Sequence, residues 1–97
     1  MENQHLRIIN QVFEIERKSA QNAAILRHVE RIRSTFEEMG YQIHNPSGEP
    51  YNETRTDCEA SIAGSKVENL VVAEVIKPIV RRQGVIIQKG VVIVESK

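Results

Sequence analysis

The sequence predicts an α+β fold: a long N-terminal helix forming a coiled-coil or bundle dimer, followed by a small all-β domain of short strands. Three observations carry this expectation. All five glycines and all three prolines lie at or after Gly40, and these are the residues that mark where a backbone turns. Before Gly40 the apolar residues recur at helical spacing, whereas after it they fall into short β-branched runs separated by turn residues. The helical stretch is also too long for the remaining segment of about 58 residues to shelter. The division expected is residues 1–39 for helical dimerisation and 40–97 for a partner-binding β domain.

From Glu2 to Met39 most residues are good helix formers. Ile25, Val29, Ile32, Phe36 and Met39 are spaced 4-3-4-3, the pattern of a coiled-coil or bundle seam. Gly40 follows where a left-handed C-cap glycine is expected. Upstream, Leu6, Ile9 and Phe13 form one apolar stripe and Ile8, Val12 and Ile15 form another beside it. Carried backward, the Ile25–Met39 register puts Asn22 and Lys18 in the seam, so the phase slips near Lys18–Asn22. A stutter or a change of partner accounts for the slip. The alternative is a hairpin there, with Ser19 as its capping residue and no turn residue to help it. One continuous helix is the expectation. At 1.5 Å per residue it spans roughly 55 Å, against roughly 25 Å for the body beside it. Its apolar seam then needs a second copy, as a dimer or a higher assembly.

After Gly40 the period changes. Tyr41-Gln42-Ile43 is a short extended run, and Asn45 to Pro50 is turn chemistry. Glu59–Ile62, Asn69–Ile76, Val85–Ile87 and Val91–Val94 read as strands. Pro78 bends the third run or places it at an edge. Arg81-Arg82-Gln83-Gly84 reads as a tight connection, and Gln88-Lys89-Gly90 as a turn or a bulge. Short strands with turns between them predict a small sandwich or rolled sheet.

Composition narrows function. Thirteen basic residues balance thirteen acidic ones, so no global field draws the chain to nucleic acid or anionic lipid. No run reads as a membrane span or the core of a signal peptide. A single cysteine, Cys58, fits a reducing compartment, and the cytoplasm is the expectation. His5, His28 and His44 are scattered, none at metal-ligand spacing with Cys58, so neither metal nor cofactor is expected. Cys58 stands between Asp57 and Glu59, where negative charge raises a thiol's pKa and blunts its nucleophilicity. Glu49, Glu53, Asp57 and Glu59 are carboxylates on a turn-rich stretch, better read as solvated surface than as acid–base catalysts. An enzyme is not expected. One charge feature survives: Lys77, Arg81, Arg82 and Lys89 have no acid among them, while residues 49–59 hold those four carboxylates against Arg55 alone. This segregation either steers a complementary partner or amounts to two solvated faces. No aromatic residue follows Tyr51 to stack nucleic-acid bases.

These residues resemble the GrpE family, the nucleotide exchange factors of DnaK-type chaperones, over roughly residues 29–95. The family's seam helix, glycine, aliphatic pair and Gly-x-Pro-aromatic turn are matched by Phe36–Gly40, Ile43 and Gly48-Glu49-Pro50-Tyr51-Asn52, and its charged-Ala pair by Glu59-Ala60. Val75, Gln83-Gly84, Ile87 and Val92-Ile93-Val94 fall in step with its C-terminal text. There are departures. Val85 stands where the family has arginine, Gln88-Lys89-Gly90 replaces Arg-Pro-Ala, and Pro78-Ile79 replaces Gly-Tyr. The stretch after Tyr51 is about two residues longer, and the family's histidine before the charged-Ala pair is missing. The helical part is also shorter than the family's. The resemblance implies a homodimer whose β domain binds the nucleotide-binding domain of a DnaK-type chaperone and promotes ADP release. The implied contact residues are Arg81, Arg82, Gln83, Gly84, Val85 and Val94, and the dimer seam is Ile25, Val29, Ile32, Phe36 and Met39. An adaptor that keeps the fold without exchange activity is the alternative.

Overall fold

The structure is a computed structural model describing residues 2–97. It overturns the long helix. Residues 2–38 form two helices, α1 (Glu2–Lys18) and α2 (Ala23–Glu38), joined as a hairpin. The break falls where the apolar phase slips, and its cap is Asn22 rather than Ser19. Asn22 is extended (φ −118°, ψ 94°), and its side-chain oxygen accepts from the Ile25 amide at 3.2 Å. This is the geometry that starts a helix afresh. The Ser19 amide closes α1 on the Ile15 carbonyl, and the Asn22 amide closes the turn on the Ser19 carbonyl at 2.8 Å. Two helices of about 25 Å each fit a molecule measuring 39 × 32 × 17 Å, so part of each apolar stripe (Ile9, Val12, Phe13, Val29 and Phe36) finds burial within the chain. The premise that a helix could not reach back over its own β body therefore fails.

Gly40 ends α2 in a left-handed conformation (φ +100°), as its position implied. Six strands follow: β1 (Tyr41–His44), β2 (Cys58–Ile62), β3 (Leu70–Lys77), β4 (Ile79–Arg82), β5 (Val85–Gln88) and β6 (Gly90–Ser96). They form two three-stranded sheets, ordered β1-β4-β5 and β2-β6-β3. The first is antiparallel throughout; in the second, β2 runs parallel to β6 and β3 antiparallel to it. From β3 to β6 the chain is one long, bent hairpin, with β3 on β6 and β4 on β5. It changes sheet at Pro78 on the way out and at Lys89 on the way back. Proline suits such a corner because it has no N–H to contribute to a ladder. Gly90 completes the bend: a Cβ there would sit 2.9 Å from Ile79 Cγ1 and 3.2 Å from Cys58 Sγ.

Strand β4 departs from expectation. Arg81 and Arg82 belong to the ladder, and the connection shrinks to Gln83 (φ +53°) and Gly84 (φ +78°). Two consecutive positive φ values match the twist of a two-residue hairpin. The Pro-rich stretch also pairs, running beside β3 through Gly48 N–H to Val72 O, Val72 N–H to Glu49 O and Tyr51 N–H to Leu70 O, each at 2.9 Å.

Two apolar clusters join helices to sheets. Phe13 of α1 packs with Cys58, Val72, Val75, Ile79, Val92 and Val94. Ile9 of α1 and Phe36 of α2 pack with Tyr41 and Val80. Covering one face of each sheet with the helical hairpin removes this apolar surface from water, at about 25 cal/mol per Å².

Candidate interaction surface

The β4–β5 turn carries most of the residues expected to touch a partner. Gln83, Gly84 and Val85 are exposed, and Val85 keeps 63% of its surface in water. The two arginines at the base of the turn are committed elsewhere. Arg82 Nη1 donates to the Tyr41 hydroxyl at 3.1 Å, and its guanidinium carbon lies 4.8 Å from the centre of the Tyr41 ring, at cation–π range. A hydroxyl that accepts from Arg82 has its proton free for His5 Nδ1, 2.5 Å away. His5, Phe36 and Tyr41 pack edge to face around this centre. Arg82 thereby ties the first turns of α1 to β1 and β4. Arg81 Nη2 lies 3.6 Å from Asp57 Oδ2. Val94 is fully buried in the core, which removes it as a direct contact residue.

Two acids of the 49–59 stretch, Glu49 and Asp57, are held by Arg55, by His44 and, from the basic stretch, by Arg81. Arg55 donates from Nε to Asp57 Oδ1 at 2.6 Å and from Nη2 to Glu49 Oε1 at 2.7 Å, with Nη1 on the Pro50 carbonyl at 3.0 Å. His44 Nε2 reaches Glu49 Oε2 at 2.6 Å. The chain His44–Glu49–Arg55–Asp57–Arg81 thus runs from β1 through the 45–57 segment to β4. Hydrogen bonds from Arg55 hold the Asp57 carboxyl below the usual carboxylate range. Burial pushes Glu49 upward, but hydrogen bonds from Arg55 and His44 outweigh it and leave its carboxyl lowered. The acidic stretch thus pairs mainly with its own Arg55 and meets the basic stretch where Arg81 nears Asp57, a reading the sequence alone did not contain. Its only signal was a lone arginine amid four acids, and nothing in the text said which acids it would choose.

Cys58 is buried in the larger cluster, and burial, then the neighbouring Asp57, raises its thiol pKa. His44 lies exposed on Glu49. Among the described residues, no three His, Cys, Asp or Glu side chains converge as metal ligands. A cavity of about 300 Å³ opens between Phe13, Arg17, Asn45 and β3, and there the Arg17 guanidinium is taken by the Val75 carbonyl at 2.6 Å and Glu74 at 3.4 Å.

The expected dimer seam divides. Val29 and Phe36 are buried inside the chain, at 4% and 7% exposure. Ile25, Ile32 and Met39 are each 43% exposed, one every seven residues along α2. On α1, Ile8 and Ile15 stand exposed at the same interval. The fold and surface described are those of a small two-sheet α+β body with a helical hairpin across it. No known protein family, curated protein or solved structure matches this chain.

Proposed function

We propose that the chain is a cytoplasmic, non-enzymatic chaperone cofactor of GrpE-like type. Its β body binds the nucleotide-binding domain of a DnaK-type chaperone and promotes release of ADP. The supporting observation is the β4–β5 turn, a two-residue hairpin end presenting Gln83, Gly84 and the exposed Val85. These residues fall where the resemblance locates the chaperone contact. Such a turn accelerates ADP loss only by binding the open lobes more tightly than the closed ones, with each 1.4 kcal/mol of preference worth about tenfold.

The cofactor acts as a homodimer. The seven-residue ladders of Ile8 and Ile15 on α1 and of Ile25, Ile32 and Met39 on α2 match one another in repeat. These exposed side chains are the surface through which two copies would meet. Among the described residues, five of the nine large apolar side chains left exposed lie on these two ladders, which concentrates the unburied surface on the helical layer.

A second reading has its own support. Arg81 and Arg82 are engaged by Asp57 and Tyr41, and Val85 offers no charge where the family has arginine. An adaptor that uses the same turn without exchange activity fits those facts. Release of labelled ADP from the host's DnaK-type chaperones separates the two. Acceleration that is lost in Val85→Asp supports exchange. No acceleration with any of them removes the exchange reading and leaves the adaptor.

A further inference from the structure

We infer that the outward face of the β2-β6-β3 sheet is a docking surface for a basic amphipathic helix of a partner protein. Strand register fixes the face, because residues paired across a ladder share a side of the sheet. Glu59, Val91 and Lys77 form one row, Ser61, Ile93 and Glu74 the next, and Glu95 with Val71 the third. The opposite side carries Cys58, Val72, Val75, Val92 and Val94, all buried under the rest of the molecule. Glu59, Glu74, Lys77 and Glu95 of these rows are exposed, and Val71, Val91 and Ile93 are half-buried.

Two features specify the occupant. The centre of the face is aliphatic, with Val91, Ile93 and Val71 half-buried and Ile76 exposed beside Lys77. Its rim holds three carboxylates, Glu59, Glu74 and Glu95, against the single cation Lys77. Glu74 is shared with Arg17, while Glu59 and Glu95 are in no ion pair among the described residues. An aliphatic strip edged with unpaired acids is complementary to apolar side chains flanked by lysine or arginine. Dimensions select a helix. Three strands make a face about 10 Å across, the width of one helix. Val91 to Glu95 spans roughly 13 Å, about two and a half helical turns. The face lies on the other sheet from the β4–β5 turn, so this inference does not depend on the chaperone reading.

The test uses two synthetic helices of about four turns, identical in their leucine stripe and differing only in flanking lysines or glutamates. Each is titrated into the intact protein while backbone amide shifts are followed. The lysine helix is expected to shift amides of β6 and β3 and to bind about tenfold or more tightly than its twin, a gap of 1.4 kcal/mol or more. Replacing both exposed carboxylates (Glu59→Lys with Glu95→Lys) is expected to reverse that order. Val85→Asp is expected to leave it unchanged, which separates failure here from failure at the turn. Shifts confined to α1 and α2, equal binding of the two helices, or no binding of either overturns the inference.

Discussion

Gly90 shows how one residue holds a corner of the fold. The bend at Pro78 and Lys89 brings β6 so close to β4 and β2 that a single added carbon meets Ile79 at 2.9 Å and Cys58 at 3.2 Å. Gly90→Ala is therefore expected to cost about 1–3 kcal/mol, the usual penalty of overpacking, read as a fall in melting temperature. In the sequence this glycine reads as a turn or a bulge, because a close approach depends on what lies across the sheet. Asp57 works through charge. Its carboxyl and that of Glu49 lie below their ordinary values of 3.8 and 4.5, so the unfolded chain binds more protons than the native one in that range. The stability they contribute is present at neutral pH and is lost as pH falls below about 4.5. Asp57→Asn is expected to lower the melting temperature near pH 7 and to flatten the acid limb of the stability curve. An unchanged acid limb would show that Arg55 does not stabilise the ionised form.

Among the elements, the helical hairpin was half legible. The phase slip near Lys18–Asn22 is visible in the apolar pattern, and the break falls there. The cause is neither a stutter nor a change of partner within one helix but a new helix start, with Asn22 as the N-cap of α2. Asn22→Ala is expected to destabilise the protein by about 1 kcal/mol, measured by denaturant unfolding. Asn22→Ser, which keeps an accepting oxygen, is expected to restore most of that loss. The strands were read more fully, because β-branched runs and turn residues announce them locally. The exception is β4. Arg81 and Arg82 sit in a ladder although they read as part of a tight connection; Ile79 and Val80 just ahead of them are the local strand signal. Pairing with β1 on one side and β5 on the other decides it, together with the Tyr41 and Asp57 partners that take up their charge.

At the scale of the molecule, the proposed homodimer rests on the apolar side chains left exposed along the two helices. It predicts that Ile25→Ser with Ile32→Ser lowers the solution mass from dimer to monomer. Thermal stability of the separated protomer is expected to persist, since neither side chain belongs to the core clusters. Light scattering at micromolar concentration checks both statements, and a monomeric parent protein would remove the pairing. The sequence by itself determined the boundary at Gly40, the helical character before it, and most of the strands after it. Each of these follows from side-chain period and from backbone preferences that act within a few residues. Only the tertiary structure decided that the helix folds in two, that Val29 and Phe36 turn inward while Ile25, Ile32 and Met39 turn outward, and that Arg81 and Arg82 are anchored. Those outcomes depend on contacts between segments far apart in the chain. There, burying an apolar stripe or pairing a charge outweighs local preferences worth a few tenths of a kcal/mol per residue.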